Sequence, residues 1–305
     1  MFEQSFFKHR LRLTFGLMFR GLLFYGLVAP SVGLIASPNP VNSANATNAS
    51  NATNGALCSQ PLYLTFDTGH MGVAPFIAQV LNRQDVKVTF FVAHELTQEG
   101  DGTLGEHWRK WWQDRAAEGH SFASHTYDHV YWVSDEPHPP GHVEGADGPY
   151  FWVKPSAGAH KGQRMLWSTK AYCASIKQAN DAIKSITLRA PLPLFRAPGG
   201  KTSKALLAST QACGYKHVGW SDAGFLGDEL PSDRFPNDLL LKRALLKIKS
   251  GDILMAHLGI WSRTDPWATS VLEPLIVGLK EKGFCFKTLD HHPSFAPWIA
   301  QHAAK

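Results

Sequence analysis

The stretch LYLTFDTGH, residues 62–70, combines a buried strand with a charged end. Leu62–Phe66 is almost continuously apolar, as expected of a strand covered on both faces of a parallel sheet. A carboxylate follows directly, at Asp67. An ionisable residue is a poor choice for the end of a buried strand unless the protein uses it. The stretch therefore predicts a parallel sheet with a functional site at the carboxyl ends of its strands.

Six further β-type runs follow along the chain, and helical patterns separate them, for example at residues 239–249 and 271–282. Strands that alternate with helices are typical of βα units around a parallel sheet. Seven strands favour a (β/α) barrel, or a barrel that lacks one unit. The predicted strands are Leu62–Phe66, Val88–Val92, Ser121–Ser124, Leu192–Arg196, His217–Trp220, Ile253–Ala256 and Phe284–Leu289.

One segment, residues 134–163, breaks this rhythm. It is rich in proline, glycine and histidine, and it is too long for an ordinary loop between a strand and a helix. It leaves the end of the third predicted strand, on the face where barrels place their active sites. We expect a lid or specificity loop here, and an inert surface insertion is the alternative.

The N-terminal segment, residues 1–46, has the pattern of an export signal. A basic stretch at residues 8–12 precedes the uncharged, apolar residues 21–35, and an Ala-Asn-Ala sequence at 44–46 offers a cleavage site. The apolar run is shorter than the ~20 residues that a spanning helix needs, and an uncleaved membrane anchor is the alternative. Residues 47–56 predict a polar linker to a catalytic domain at 57–305. We expect a protein of the periplasm, the cell envelope or the medium.

The formal net charge of +5 does not indicate a nucleic-acid partner. The N-terminal 46 residues hold four basic side chains and one acidic side chain, so the rest of the chain carries only +2. A nucleic-acid-binding domain would be far more basic.

Four cysteines follow the export signal, and their spacing matches no zinc or redox motif. An oxidising compartment permits disulfides, and four buried thiols are the alternative. If the barrel closes, Cys58 before the first strand and Cys285 in the last strand are neighbours. Cys173 and Cys213, on consecutive helical segments, would form the other pair.

Polar, titratable side chains stand where the predicted strands end. Asp67 follows the first strand, and His125 and His129 follow the third. Arg196 ends the fourth strand, and His257 follows the sixth. The carboxyl ends of barrel strands converge on one pocket, so these scattered positions predict a single site.

Four motifs occupy these strand ends, namely TFDTG at 65–69, SHTYDH at 124–129, FRAPGG at 195–200 and MAH at 255–257. With these motifs in this order, the chain resembles the polysaccharide deacetylases, also called carbohydrate esterase family four, from about Leu62 to Leu289. The resemblance implies a deformed (β/α) barrel of about seven parallel strands. It also implies a metal-dependent hydrolase that removes an N-acetyl or other acyl group from an amino sugar in a glycan.

The resemblance implies a role for each polar residue at the strand ends. Asp67 matches the general base that activates water, Arg196 matches the arginine that orients this base, and His257 matches the general acid that protonates the leaving amine. His125 and His129 match two imidazole ligands of a divalent metal, for which we expect zinc. Four residues apart, the two can share one face of a helical turn.

The substrate pocket is also implied by this resemblance. In the family, a carboxylate tethers the histidine that acts as general acid. In this chain that carboxylate is not at its usual position, and Asp222 or Asp228 offers a replacement. The residues expected to line the pocket are Trp220, Met255, Pro198 and Gly199.

One departure from the family concerns the metal. The family's second aspartate, which completes a His-His-Asp ligand set, is Thr68 in this chain. A neutral hydroxyl is a poor ligand beside a carboxylate, whereas His70 lies on the same turn and offers an imidazole that suits zinc. We expect His70 to be the third ligand, with Thr68 and Asp128 as weaker candidates.

Two other functions fit the same residues. Without its third ligand, the chain could be a pseudoenzyme that binds glycan without turnover. It could instead be an amidohydrolase for a small or lipid-linked amide, because the long segment at 134–163 would close the pocket.

Overall fold

Parallel strands form the central sheet of the protein in the computed structural model, which describes residues 58–137 and 148–303. All seven strands predicted from the sequence are present, and three of them are only two residues long. The strands in these two ranges, in chain order, are β1 Pro61–Asp67, β2 Thr89–Val92, β3 Ser121–Ser124, β4 Val130–Glu136, β5 Tyr150–Pro155, β6 Met165–Ser168, β7 Leu194–Phe195, β8 Lys216–His217, β9 Ile253–His257 and β10 Cys285–Phe286.

The sheet order is β10–β1–β2–β3–β7–β8, and β9 also pairs with β1. Strand β10 pairs with the first two residues of β1, and β9 pairs with the other five. The segment after β8 contacts β9 through hydrogen bonds, among them one from the Ser221 N–H to the Ile253 carbonyl (3.1 Å), and through a bridge between Phe225 and Met255. The predicted α/β fold with about seven parallel strands is therefore confirmed, and its closure is irregular.

Alternate side chains of β1 face opposite sides of the sheet, as strand geometry requires. Leu62, Leu64 and Phe66 are buried under the surrounding helices. Tyr63 packs in a smaller apolar cluster on the inner face, and the same alternation places Asp67 on that face. Burial of each large apolar side chain contributes about 1.5–3 kcal/mol. A slip by one residue would reverse both faces, so this burial fixes the register and the position of Asp67.

Helices cover the outer face of the sheet, and two of them, α3 (Thr169–Thr187) and α4 (Lys204–Ala212), begin with a serine whose side chain caps the helix. The Ser168 hydroxyl accepts a hydrogen bond from the Ala171 N–H at the start of α3, and Ser203 does the same for Leu206 at the start of α4. The helices in the described ranges are α1 Ala74–Arg83, α2 Glu106–Ala117, α3 Thr169–Thr187, α4 Lys204–Ala212, α5 Asn237–Lys247, α6 Glu273–Glu281 and α7 Ala296–His302.

Of the segment expected to be a lid or specificity loop, residues 134–163, the end of β4 and the whole of β5 belong to a three-stranded antiparallel sheet, β4–β5–β6. Val130, Phe151 and Val153 are buried and pack with Tyr172 of α3. The alternation of apolar side chains in β5 is typical of a strand. The proline and glycine content of the segment nevertheless led to the prediction of a loop. Residues 138–147 lie outside the described ranges, and the role of the segment as a lid stays a prediction.

Two further predictions fall outside the described residues. These are the export signal or anchor at residues 1–46 and the polar linker at residues 47–56. Within the ranges that the structure does describe, no helix has the length and apolar character needed to cross a membrane.

Both expected disulfides are present. Cys58 is bonded to Cys285 with a Cα–Cα distance of 5.9 Å, and Cys173 is bonded to Cys213 with a distance of 6.3 Å. The first bridge ties the residues before β1 to β10, and the second ties α3 to the end of α4. The alternative of four buried thiols is wrong, because the cysteine pairs lie within the range that a disulfide spans.

We expect peptide mapping under non-reducing conditions to recover Cys58 linked to Cys285 and Cys173 linked to Cys213. Replacing either pair by serine should lower the free energy of unfolding by about 2–4 kcal/mol, because each bridge restricts the unfolded chain. Denaturant titration of the two double variants beside the parent measures this loss. Crossed linkages, or an unchanged stability, would contradict the pairing.

Candidate active site

The carboxyl ends of four parallel strands bring the predicted catalytic residues into one cavity. Asp67 ends β1, His257 ends β9, and the two are partners in the register of these strands. His125 follows β3 directly, and Arg196 follows β7. The cavity has a volume of about 570 Å³, and Asp67, His125, His129 and His257 line it. The expected convergence of scattered sequence positions is therefore observed.

Asp67 and Arg196 form a buried ion pair. The Arg196 Nη1 lies 2.6 Å from the Asp67 Oδ1, and the arginine is fully buried. Its guanidinium also donates to the carbonyls of Val218 and Gly219, each at 3.2 Å, and lies 4.1 Å from the centre of the Phe91 ring. The expected pairing of the two residues is present, and it leaves the guanidinium facing protein rather than solvent.

The surroundings of Asp67 favour its ionised form. Burial alone would raise the pKa of this carboxyl group, but the charges of Arg196, His125 and His257 outweigh burial and hold the pKa below its ordinary value. Asp67 is consequently a carboxylate at neutral pH, which is the state that a general base needs.

His257 is held by a second carboxylate, Asp228. The His257 Nδ1 lies 3.1 Å from the Asp228 Oδ2, and the His257 backbone N–H donates to the same oxygen at 2.7 Å. Burial would lower the pKa of His257, but Asp228, Asp67 and Glu229 together raise it to about 9. His257 is therefore protonated at neutral pH, as a general acid must be. Of the two tethers considered from the sequence, the structure has Asp228.

His125 presents an unprotonated nitrogen near Asp67. The His125 Nδ1 lies 2.9 Å from the Arg196 carbonyl oxygen, which only accepts, so this nitrogen carries the proton. The His125 Nε2 lies 3.5 Å from the Asp67 Oδ2. Burial lowers the pKa of His125 to about 4, although the charge of Asp67 opposes this. A neutral imidazole is the form that binds a metal.

His129 lies beside His125, with 4.8 Å between the ring centroids. Its Nδ1 lies 2.6 Å from the Ser156 Oγ, a contact that orients the ring. The two histidines do not share a helical turn as expected. Thr126 and His129 have φ angles of 62° and 49°, so the chain makes a tight turn through the left-handed region. Such strained backbone persists where surrounding contacts fix it and is common at functional sites.

The expectation that His70 joins these two imidazoles is not met. The His70 Nδ1 accepts a hydrogen bond from the Gly72 N–H (3.0 Å), and its ring packs edge-on against Trp261. It lines a neighbouring cavity of about 250 Å³ instead, because its turn is held by the Gly259 carbonyl. Asp128 does not line the catalytic cavity either. Over residues 58–137 and 148–303, no three His, Cys, Asp or Glu side chains already surround one point as metal ligands would.

Glu95 is a cavity residue that the sequence reasoning missed. It follows β2 and lines the cavity with His125 and His129. The Thr68 hydroxyl donates to its Oε2 at 2.5 Å. No motif marks Glu95, but it is a carboxylate just beyond a buried strand, and the rule that identified Asp67 could have identified it.

The expected pocket residues are mostly in place. Trp220, Met255 and Gly199 line the cavity, whereas Pro198 is buried in the turn behind Gly199 and does not. Further lining residues that were not expected include Tyr131 of β4, Lys161 between β5 and β6, and Ile260 and Trp261 of the loop after β9.

A sequence model of polysaccharide deacetylases matches residues 54–218, more than half of the 305-residue chain. The chain belongs to the polysaccharide deacetylase family. The resemblance drawn from the four motifs is therefore confirmed, and membership of this family supports a hydrolase of the polysaccharide deacetylase type.

Individual relatives are distant. An uncharacterised 30.6 kDa protein of Geobacillus stearothermophilus is 25% identical over 232 residues, covering 75% of this chain and 69% of that protein. The structure of a chitin deacetylase from Colletotrichum lindemuthianum is similar with a TM-score of 0.54 and 20% identity, covering 79% of this chain and 91% of that one.

Two further solved structures share the fold. A family 4 acetyl xylan esterase from Clostridium thermocellum, in complex with a cobalt ion, has a TM-score of 0.54 and 18% identity, covering 77% of this chain and 91% of that one. A pseudoenzyme of the same family from Bacillus anthracis has a TM-score of 0.52 and 19% identity, covering 76% of this chain and 65% of that one. At these sequence identities, the structural similarity shows only that this polysaccharide deacetylase shares the fold.

We expect Asp228→Asn to lower the pKa of His257 from about 9 towards the ordinary histidine value of about 6.5, because it removes the nearest negative charge and keeps the side-chain shape. NMR titration of the histidine ring signals measures the change. Asp222→Asn is the matched control, since Asp222 lies on the same segment and is exposed. An unchanged pKa in Asp228→Asn would refute the tethering role.

We expect Asp67→Asn to lower the free energy of unfolding by about 3–5 kcal/mol, because it leaves Arg196 as a buried, unpaired cation. The effect should be full above pH ~4 and should shrink as the pH falls through the lowered pKa of Asp67, where the parent also loses the charge. Denaturant titration at several pH values measures both. Adding Arg196→Met to this variant should recover much of the lost free energy of unfolding. The control is Asp181→Asn, which breaks the exposed pair of Lys177 and Asp181 and should change the free energy of unfolding by less than ~1 kcal/mol. A loss that Arg196→Met does not recover would contradict the pairing energetics.

Proposed function

We propose that this protein is an exported, metal-dependent hydrolase that removes an N-acetyl group from an amino sugar in a glycan. One observation carries the proposal, namely that Asp67, paired with Arg196, and His257, tethered by Asp228, face one cavity from neighbouring strands. Membership of the polysaccharide deacetylase family supports the same reaction class.

The two residues match the two difficulties of amide hydrolysis. Asp67 can accept a proton from water as the water attacks the carbonyl carbon, and the ion pair with Arg196 keeps its oxygens in place. An amine is a poor leaving group until it is protonated, and His257 can supply that proton. Asp228 then stabilises the tethered imidazole throughout. Trp220 and Met255 would receive the apolar methyl group of the acyl chain.

The donor set suits a divalent metal. The His125 imidazole is neutral with its Nε2 free, His129 lies beside it, and carboxylate oxygens border the same cavity. A bound divalent cation would polarise the amide carbonyl and make the attacking water more acidic. We propose zinc, because imidazole and carboxylate ligands are the ones that catalytic zinc uses.

Export is supported by the sequence pattern of residues 1–46 and by the two disulfides. Disulfides persist in oxidising compartments such as the periplasm or the extracellular space. N-acetylated glycans of the cell envelope would be accessible to the enzyme there.

A second candidate is an amidohydrolase for a small or lipid-linked amide. The cavity is also lined by Tyr131 of β4 and by Ser156 and Lys161 of the segment between β5 and β6, which favours a pocket over an open groove. A cavity of about 570 Å³ is within the range that holds a compact ligand. Comparison of chitooligosaccharides with short acylated amines as substrates separates the two candidates.

We expect the full-length protein to release acetate from a short chitooligosaccharide, and His257→Gln to reduce the rate by about 10²–10⁴-fold. Asp67→Asn should reduce it as much when assayed where this less stable variant remains folded. Asp222→Asn, on the same segment as the tether, should leave the rate unchanged. If the parent binds the oligosaccharide without releasing acetate, the pseudoenzyme alternative holds and the proposed function fails.

A further inference from the structure

The metal site lacks the carboxylate that the family motif supplies at residue 68, where this chain has Thr68. Two imidazoles alone would bind a divalent cation weakly, since catalytic zinc sites usually have three protein ligands. His70, the other candidate on this turn, faces a different cavity. A replacement therefore has to come from elsewhere in the fold.

Three carboxylates of the described residues line the catalytic cavity, and two of them have other partners. Asp67 is paired with Arg196. Glu229 is exposed and acts electrostatically on His257. The third, Glu95, has only 18% of its side chain exposed, and its Oε1 lies 3.9 Å from the His129 Nδ1.

Thr68 directs a hydroxyl proton at this carboxylate. The Thr68 Oγ1 accepts a hydrogen bond from the Ala93 N–H at 3.1 Å, so its own proton is free to donate. That proton goes to the Glu95 Oε2 at 2.5 Å. Because Thr68 is almost fully buried, the hydroxyl has few other acceptors. The residue that replaced the family's aspartate is thus bonded to the remaining carboxylate beside the histidines.

The backbone around Glu95 is braced as well. The Thr103 hydroxyl accepts a hydrogen bond from the Glu95 N–H at 3.0 Å and donates to the Ala93 carbonyl. The Thr103 N–H donates to the Glu95 carbonyl at 3.0 Å. Thr103 is fully buried, so this brace is shielded from water. Glu95 is therefore held at both its backbone and its side chain.

We propose that Glu95 is the carboxylate ligand of the metal site, in place of the missing aspartate, and that Thr68 is the positioning residue that holds it. His125 and His129 supply the two imidazoles. The inference rests on the metal dependence in the proposed function, and it locates the site across the ends of β2 and β3 rather than on the turn after β1. Binding would draw the three side chains together, since they do not yet surround one point.

The test is calorimetric Zn²⁺ binding to the full-length chain after treatment with a chelator. Glu95→Gln keeps the shape of the side chain and an oxygen for the Thr68 hydroxyl, so we expect it to fold like the parent and to bind Zn²⁺ at least tenfold more weakly. Glu229→Gln is the matched control, because it removes the same charge from the same cavity without removing the ligand. Its affinity should change less than threefold.

Two variants of Thr68 test the positioning role. Thr68→Val removes the hydroxyl donor and should weaken Zn²⁺ binding. Thr68→Ser keeps the hydroxyl donor and should retain the Zn²⁺ affinity of the parent. Thr68→Asp in the Glu95→Gln chain returns a carboxylate to the family position and should recover most of the lost affinity.

Equal Zn²⁺ affinity in the parent and Glu95→Gln would overturn the inference, as would equal losses in Glu95→Gln and Glu229→Gln. If the parent releases acetate and Glu95→Gln binds Zn²⁺ as tightly as the parent, Glu95 is not the metal ligand, but the proposed function stands. If Zn²⁺ binds tightly and depends on Glu95 but no acetate is released, the proposed function fails, and the role of Glu95 as metal ligand stands.

Discussion

The buried ion pair between Asp67 and Arg196 is the contact on which the rest of the site depends. It joins the end of β1 to the end of β7 across the inner face of the sheet. The same arginine holds the Val218 and Gly219 carbonyls beyond β8, and its own carbonyl fixes the proton on His125. Desolvation of two charges is costly, and the pair is tolerable because further hydrogen bonds satisfy the guanidinium. One arginine therefore influences the charge of Asp67, the tautomer of His125 and the path of the chain after β8.

A second charge arrangement depends on the first. His257 lies in the field of Asp228, Asp67 and Glu229, and these carboxylates together raise its pKa to about 9 in spite of burial. The same positive charge helps to lower the pKa of Asp67. Each residue thus stabilises the charge of the other, which gives one cavity an ionised base and a protonated acid at the same pH. Proteins assign acid and base roles through surroundings that push the pKa values of two neighbouring titratable groups apart.

The sequence was informative wherever a physical rule acts locally. Buried apolar runs such as Leu62–Phe66 must be strands, and a charge at the end of such a run must face a site, so the sheet and Asp67 could be predicted. His70 was misassigned because proximity along the chain does not determine which cavity a side chain enters; the Gly259 carbonyl holds its turn against a neighbouring cavity. Glu95 belongs to no motif, although it is a carboxylate just beyond a buried strand. Its link to Thr68 could not be predicted, because only the pairing of β1 with β2 brings the two residues together.

The exchange of an aspartate for Thr68 is less disruptive in three dimensions than in the motif. What a cation site requires is a negative charge near the imidazoles, and the position of that charge along the chain does not matter electrostatically. The ends of β1 and β2 are neighbours in the parallel sheet, so a carboxylate carried just beyond β2 can reach the space in front of β1. A threonine at the end of β1 then stabilises this carboxylate by donating a hydrogen bond, whereas an aspartate there would repel it. Thr68 and Glu95 therefore form a pair in which the carboxylate supplies the negative charge and the threonine stabilises it by a hydrogen bond.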